Sequence, residues 1–108
     1  MSAAFTKRFD DEFVAAIDMR PWPMRGGETI VASNDRGALD LLIEDESGAD
    51  VTAALGDATA PWITGAGNDQ VAFWLVGGTP GARYKIVVTA PTSDGELLTG
   101  VAHLAVLP

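Results

Sequence analysis

His103 is the sole histidine of the chain and so the one side chain able to act as a general base near neutrality at its ordinary pKa. Nucleophilic catalysis would need a Ser or Thr held by that ring and an acid to orient it, and no Gly-x-Ser-x-Gly elbow or equivalent occurs. Without spaced partners His103 reads as an ordinary strand residue, on the face opposite Ala102 and Leu104. Cysteine is absent, which removes a disulfide framework, a thiolate metal site and a Cys nucleophile together. Carboxylates gather locally in Glu44-Asp45-Glu46-Ser47-Gly48-Ala49-Asp50. A calcium loop of the EF-hand type needs oxygen ligands at alternate positions, Gly at the sixth and Glu at the twelfth, and this spacing does not supply them. The run reads as a solvated turn, and Asp10-Asp11-Glu12 as an exposed lead-in. Gly77-Gly78-Thr79-Pro80-Gly81 lacks the Lys-Ser/Thr and the helix of a phosphate-binding loop and runs instead into a β-branched strand. The sequence therefore predicts no catalytic residue, no metal site and no cofactor.

The tryptophans carry more information. Trp22 and Trp62 each follow a proline, where the chain is extended and cannot enter a regular sheet interior. Such rings either seal the ends of a fold or anchor a protein interface, where Trp and Arg are enriched among residues that carry binding energy. Arg20, Trp22 and Arg25 together would form a contact patch on an otherwise negative surface. In Gln70–Val76, alternation sets Val71, Phe73 and Leu75 on one face and Ala72, Trp74 and Val76 on the other. That strand is either central and covered on both sides, or it presents Trp74 to a neighbouring chain.

These residues must be held by a small fold. The chain has 108 residues, of which 47% are hydrophobic, with 12 Gly and 6 Pro, the composition of one turn-rich globular domain. Fifteen acidic against seven basic side chains give a net charge of −8, a field that repels a phosphate backbone and argues against nucleic acid as a partner. No apolar run approaches the roughly 18 residues of a membrane span, and the first residues carry no signal-like apolar segment, so no membrane partner and no export address are expected.

Turn residues recur at Asn34-Asp35-Arg36-Gly37, Ser47-Gly48, Gly65-Ala66-Gly67-Asn68, Gly77–Gly81 and Ser93-Asp94-Gly95, separated by runs of about 5–10 residues. That rhythm predicts an all-β, immunoglobulin- or fibronectin-III-like antiparallel sandwich of about seven strands. Residues 1–12 are expected to form an N-terminal arm and 13–108 a single sandwich domain. Phe13–Met19 fits a short helix or a strand equally, Glu28–Ser33 reads as a strand, Ala38–Ile43 alternates, and Val51–Leu55 is a short strand piece or a helical turn. Arg83–Thr89 puts Tyr84, Ile86 and Val88 on one face. The loop Gly77–Ala82, with Gly77, Gly78 and Gly81 supplying special backbone angles, is expected to join it to Gln70–Val76 as a hairpin. The last run to Leu107 would complete a three-strand meander. Tyr84, after Gly81 at the start of a strand, occupies the place of a tyrosine corner, its ring in the core and its hydroxyl on nearby backbone.

Three segments in order carry a resemblance: Ile17-Asp18-Met19-Arg20-Pro21-Trp22 leading to Gly27-Glu28-Thr29-Ile30; Val71-Ala72-Phe73-Trp74-Leu75-Val76-Gly77-Gly78-Thr79-Pro80-Gly81-Ala82-Arg83-Tyr84; and Thr89 to Gly95 followed by Leu104-Ala105-Val106. They resemble the fibre-tail adaptors, small virion proteins of tailed phages, across most of the chain. The sequence departs from that pattern at Ala90-Pro91-Thr92-Ser93-Asp94-Gly95 and at the Pro21-Trp22-Pro23 bracket. The resemblance implies a non-enzymatic, immunoglobulin-like assembly protein present in symmetric copies in the virion, made in the host bacterial cytoplasm, with tail, neck, fibre or capsid subunits as partners. A capsid decoration or neck protein is the alternative within the virion. A carbohydrate-binding module, with Trp22, Trp62 or Trp74 as a stacking platform, is the alternative outside it.

Overall fold

A computed structural model describes residues 2–20 and 27–108. In chain order the elements are β1 (Ser2–Lys7), β2 (Phe13–Asp18), β3 (Ser33–Asn34), β4 (Gly37–Ala38), β5 (Asp40–Glu44), α1 (Thr52–Leu55), β6 (Trp62–Thr64), β7 (Gln70–Leu75), β8 (Arg83–Pro91) and β9 (Leu97–Val106). Strand dominates, as the turn spacing predicts. One sheet runs β1-β9-β8-β5 and a second runs β2-β7-β6, while β3 and β4 form a two-stranded ribbon.

Alternation builds the core. Tyr84, Ile86, Val88 and Ala90 on β8, Leu98, Ala102, Leu104 and Val106 on β9, and Leu41 and Ile43 on β5 point inward from the first sheet. Ala15 and Ile17 on β2 and Val71, Phe73 and Leu75 on β7 point inward from the second, and all of these side chains join one hydrophobic cluster. The Phe5 ring on β1 meets Phe73 edge-on, with centroids 6.3 Å apart and planes at 87°, an arrangement that favours the aromatic quadrupoles and ties the outermost strand of one layer to the centre of the other.

Several elements differ from the sequence reading. The segment expected as an arm, 1–12, contributes β1, which pairs in parallel with β9 from Ser2↔Val101 to Lys7↔Val106, so the first sheet is mixed rather than purely antiparallel. Lys7 explains part of this: only 2% exposed, its ammonium donates to the carbonyls of Arg8, at 2.6 Å, and of Gly77, pinning the end of β1 to the connection after β7. The expected hairpin of Gln70–Val76 with Arg83–Thr89 does not form. β7 is flanked on both edges by β2 and β6, so the chain crosses to the other layer, where β8 pairs with β5 and β9. The three-strand meander is accordingly reduced to the β8–β9 hairpin. Glu28–Ser33 supplies only an isolated bridge, Ile30↔Thr92, and the first residue of β3, because its backbone groups bond to loop ends: Ile30 N–H to the Asn68 carbonyl and Val31 N–H to that of Pro91. Of the two readings left open, Phe13–Asp18 is strand and Thr52–Leu55 is a helical turn. That turn shields β5, since the Thr52 hydroxyl accepts from Ile43 N–H at 2.8 Å.

The crossing between layers is shaped by backbone angles that favour glycine. Gly77, Gly78 and Gly81 have φ of 60°, 96° and 83°. Tyr84 is buried at 7% exposure and its hydroxyl accepts from the Thr79 N–H at 2.9 Å, five residues upstream.

Candidate functional site

His103 lies exposed on the outer face of β9, in register with Lys85 of β8 and Ala4 of β1, and Lys85 is in turn opposite Glu44 of β5. Of this row, Lys85, His103 and Ala4 line an open groove of about 470 Å³, together with Thr6, Asp45 and Glu46. The Glu44–Asp50 run is organised as two turns. The Asp45 carboxylate accepts from Ser47 N–H at 2.9 Å, from the Ser47 hydroxyl at 2.6 Å and from Ala49 N–H at 3.0 Å. Asp50 accepts from the N–H and hydroxyl of Thr52. Glu46 accepts from the N–H of Arg83 at 3.0 Å. Among the described residues no group of three or more His, Asp or Glu side chains is placed to hold a metal ion.

Arg20, two residues past the end of β2, lies in an ion-pair cluster. Its guanidinium reaches Asp18 at 2.7 Å and Asp69 at 3.2 Å while remaining 65% exposed. The side-chain hydrogen bond from Arg20, reinforced by the Arg20 backbone N–H, holds the Asp18 carboxyl below the usual carboxylate range. The Ser47 and Thr52 hydroxyls do the same for Asp45 and Asp50. All three carboxylates are more easily ionised folded than unfolded, so their contribution to stability is complete above the unfolded value of about 3.9 and is lost as pH falls through the lower folded values. The melting temperature is expected to hold between neutrality and mild acid and to fall below about pH 4, with Asp18→Asn flattening part of that fall. A melting series across this range checks it, and a rise in stability on acidification would contradict it.

Trp22 and Arg25 lie outside the described residues. Trp62 and Trp74 are brought together on the outer face of the second sheet. Trp62 on β6 is opposite Ala72 on β7, and Trp74, two residues along the same face, is opposite Val14 on β2. Ala72 is 3% exposed beneath its neighbours, whereas Val14 is 47% and Trp62 36% exposed, and Ala16 also faces solvent. Val14, Ala16, Ala72, Trp74 and Trp62 thus make an apolar strip across three strands, bounded at one end by the polar row Asp18–Gln70–Thr64. A solvated sheet face ordinarily alternates to polar residues, and an apolar one marks a contact surface. Arg20 borders the polar end of this strip, beyond Asp18. The sequence reading named the two tryptophans but not Val14 and Ala16. Their signal was the apolar character of both alternating sets in Phe13–Asp18.

No match is found among curated proteins. The family model described as Podophage GP4 fiber-tail adaptor protein gp77 matches residues 7–105. That span runs from the buried Lys7 at the end of β1 to the penultimate residue of β9, and so takes in both sheets, the glycine-shaped crossing with Tyr84 and the apolar strip. With nearly its whole length covered, the chain belongs to the podophage GP4 fiber-tail adaptor family.

Proposed function

We propose that the chain works without catalysis, as a rigid virion module that joins tail and fibre proteins by docking through the outer face of β2-β7-β6. The observation that carries this is the apolar strip of Val14, Trp74 and Trp62 over the buried Ala72, open to solvent at Val14 and Trp62 and held on a stiff sheet in a chain of net charge −8. Trp rings on a preformed strand lose little freedom on binding and bury a large area, which is why they dominate interfaces. The fold reading within this proposal is immunoglobulin-like. The order β2-β7-β6 opposite β9-β8-β5 follows the B-E-D and G-F-C order of that sandwich, and the Tyr84 hydroxyl bonded to Thr79 N–H is in keeping with its tyrosine corner. Symmetric repetition in the virion would multiply each weak contact.

The test is co-sedimentation of purified protein with podophage particles assembled without it. Trp62→Glu and Trp74→Glu each place a charge in the strip without touching the inward face, and each is expected to weaken binding by about 2 kcal/mol or more, roughly thirtyfold. Unchanged circular dichroism would show the fold intact. Wild-type affinity in both variants overturns the proposal, as does a saturable tryptophan-fluorescence response to a glycan panel without particle binding.

A further inference from the structure

The free edge of β2 offers a second kind of contact, one made by backbone. In the order β2-β7-β6, β2 has a strand on one side only, and among the described residues no strand pairs with its other edge. The ladder with β7 fixes which groups face outward. Met19 N–H donates to the Asp69 carbonyl at 2.8 Å, and these two residues continue the β2–β7 register. Because antiparallel partners alternate between bonded and non-bonded pairs, Ile17, Ala15 and Phe13 then direct their N–H and C=O toward β7. Val14, Ala16 and Asp18 direct theirs to the open side.

Natural sheets blunt such edges with Lys, Pro, a bulge or a covering segment. The stretch Phe13-Val14-Ala15-Ala16-Ile17 has no charge and no proline, and six consecutive residues pair with β7 without a bulge. β5, an edge of the other sheet, is by contrast covered by the turn of α1. Phe5 and Phe13, both only partly buried, pack on the core from β1 and β2, each a strand at the margin of its sheet.

We infer that β2 is a strand-addition site, completed in the virion by an extended segment of a neighbouring virion protein that is apolar at alternate positions and carries Lys or Arg at one end. This rests on the adaptor reading above and goes further by naming the bond type, the edge and the chemistry of the occupant. Charge selects that occupant over a second copy of this chain. β2 is preceded by exposed Asp10, Asp11 and Glu12, while Asp18 at its other end is already paired with Arg20, so self-pairing would bring together two chains of net charge −8, whereas a segment with Lys or Arg beside the Asp10–Glu12 end is drawn to it. Main-chain bonds would supply affinity, and the strip beginning at Val14 and Ala16 would select side chains.

Amide hydrogen exchange of the chain, free and within purified particles that contain it, tests this directly. The Val14 and Ala16 amides are expected to exchange fast in the free protein and at least about tenfold more slowly in the particle. Ala16→Pro removes an N–H that takes no part in the native ladder and is tolerated at a sheet edge. That variant is expected to keep the wild-type circular dichroism and melting curve yet fail to enter particles. Particle-bound protein whose Val14 and Ala16 amides stay fast overturns the strand addition while leaving the adaptor reading standing. Failure of the wild-type protein to join particles at all overturns the adaptor reading itself. Protection of the same amides in a free dimer seen by sedimentation overturns the choice of occupant in favour of a second copy.

Discussion

Phe73→Ala is expected to destabilise the fold by about 3–5 kcal/mol, the range for emptying an aromatic site in a packed core. Phe73 is fully buried at the centre of β7, the middle strand of its sheet, and its ring is the edge-on partner of Phe5 across the layers. Removing it takes away the transfer energy of the ring, leaves a cavity that the stiff neighbours Val71, Ile86 and Val88 cannot collapse to fill, and loosens β1, whose inward anchor is Phe5. With about 4–8 °C per kcal/mol for a domain of this size, the melting temperature should drop by roughly 12–40 °C. Phe73→Leu, which keeps most of the volume, should lose less than half as much. Thermal melts of the two variants decide the matter, and a near-wild-type curve for Phe73→Ala would mean that β1 and the second sheet are not held together through this contact.

Gly78→Ala is expected to cost about 2–5 kcal/mol, from two sources that can be separated. At φ +96° an L residue is strained whatever the space around it, and a Cβ placed there would come within 2.8 Å of a Val106 methyl and 3.6 Å of the Tyr84 ring. Val106 is 2% exposed and β-branched, so it has no second rotamer to retreat to without disturbing β9. Gly81→Ala is the matched comparison, with φ +83° but no atom within 4 Å of the added carbon. It should carry the backbone strain alone, about 1–2 kcal/mol. Denaturant midpoints of the two variants measure the difference. Equal losses would show that the layers can part at this corner without penalty and that the packing of Gly78 on Tyr84 and Val106 contributes nothing.

How far the sequence could be read follows from which signals are local. Alternation in Arg83–Thr89 and Ala102–Val106 is period two over many residues, and it assigned inward and outward faces that the structure bears out. The inward face of Tyr84 was legible for the same reason, whereas the bond of its hydroxyl to nearby backbone was expected only by analogy of position. The pairing of β7 was not legible from its loop. A glycine-rich connection between two apolar strands has the same composition whether it turns back within a sheet or crosses to the opposite layer. Nor did the strand itself decide it, because the apolar outer face made by Ala72 and Trp74 speaks of what covers that face and not of which strands flank its edges. Lys7 gave no signal at all. A lysine between Thr6 and Arg8 looks like any surface residue, and only the approach of the Gly77 carbonyl, seventy residues away, makes it an interior anchor. Trp62 and Trp74 were recognisable by type, but their union with Val14 and Ala16 in one strip depends on the register of three strands.

The parallel pairing of β1 with β9 bears on when this protein can fold. The earliest strand in the chain finds its backbone partner in the latest one, so the first sheet cannot close until the polypeptide has been synthesised through Val106. Closing so long a loop comes before any reward from the contacts it brings, which places this topology among slow folders. Until then Phe5 stands bare in the nascent chain, and intermediates of that kind are the ones most prone to aggregate.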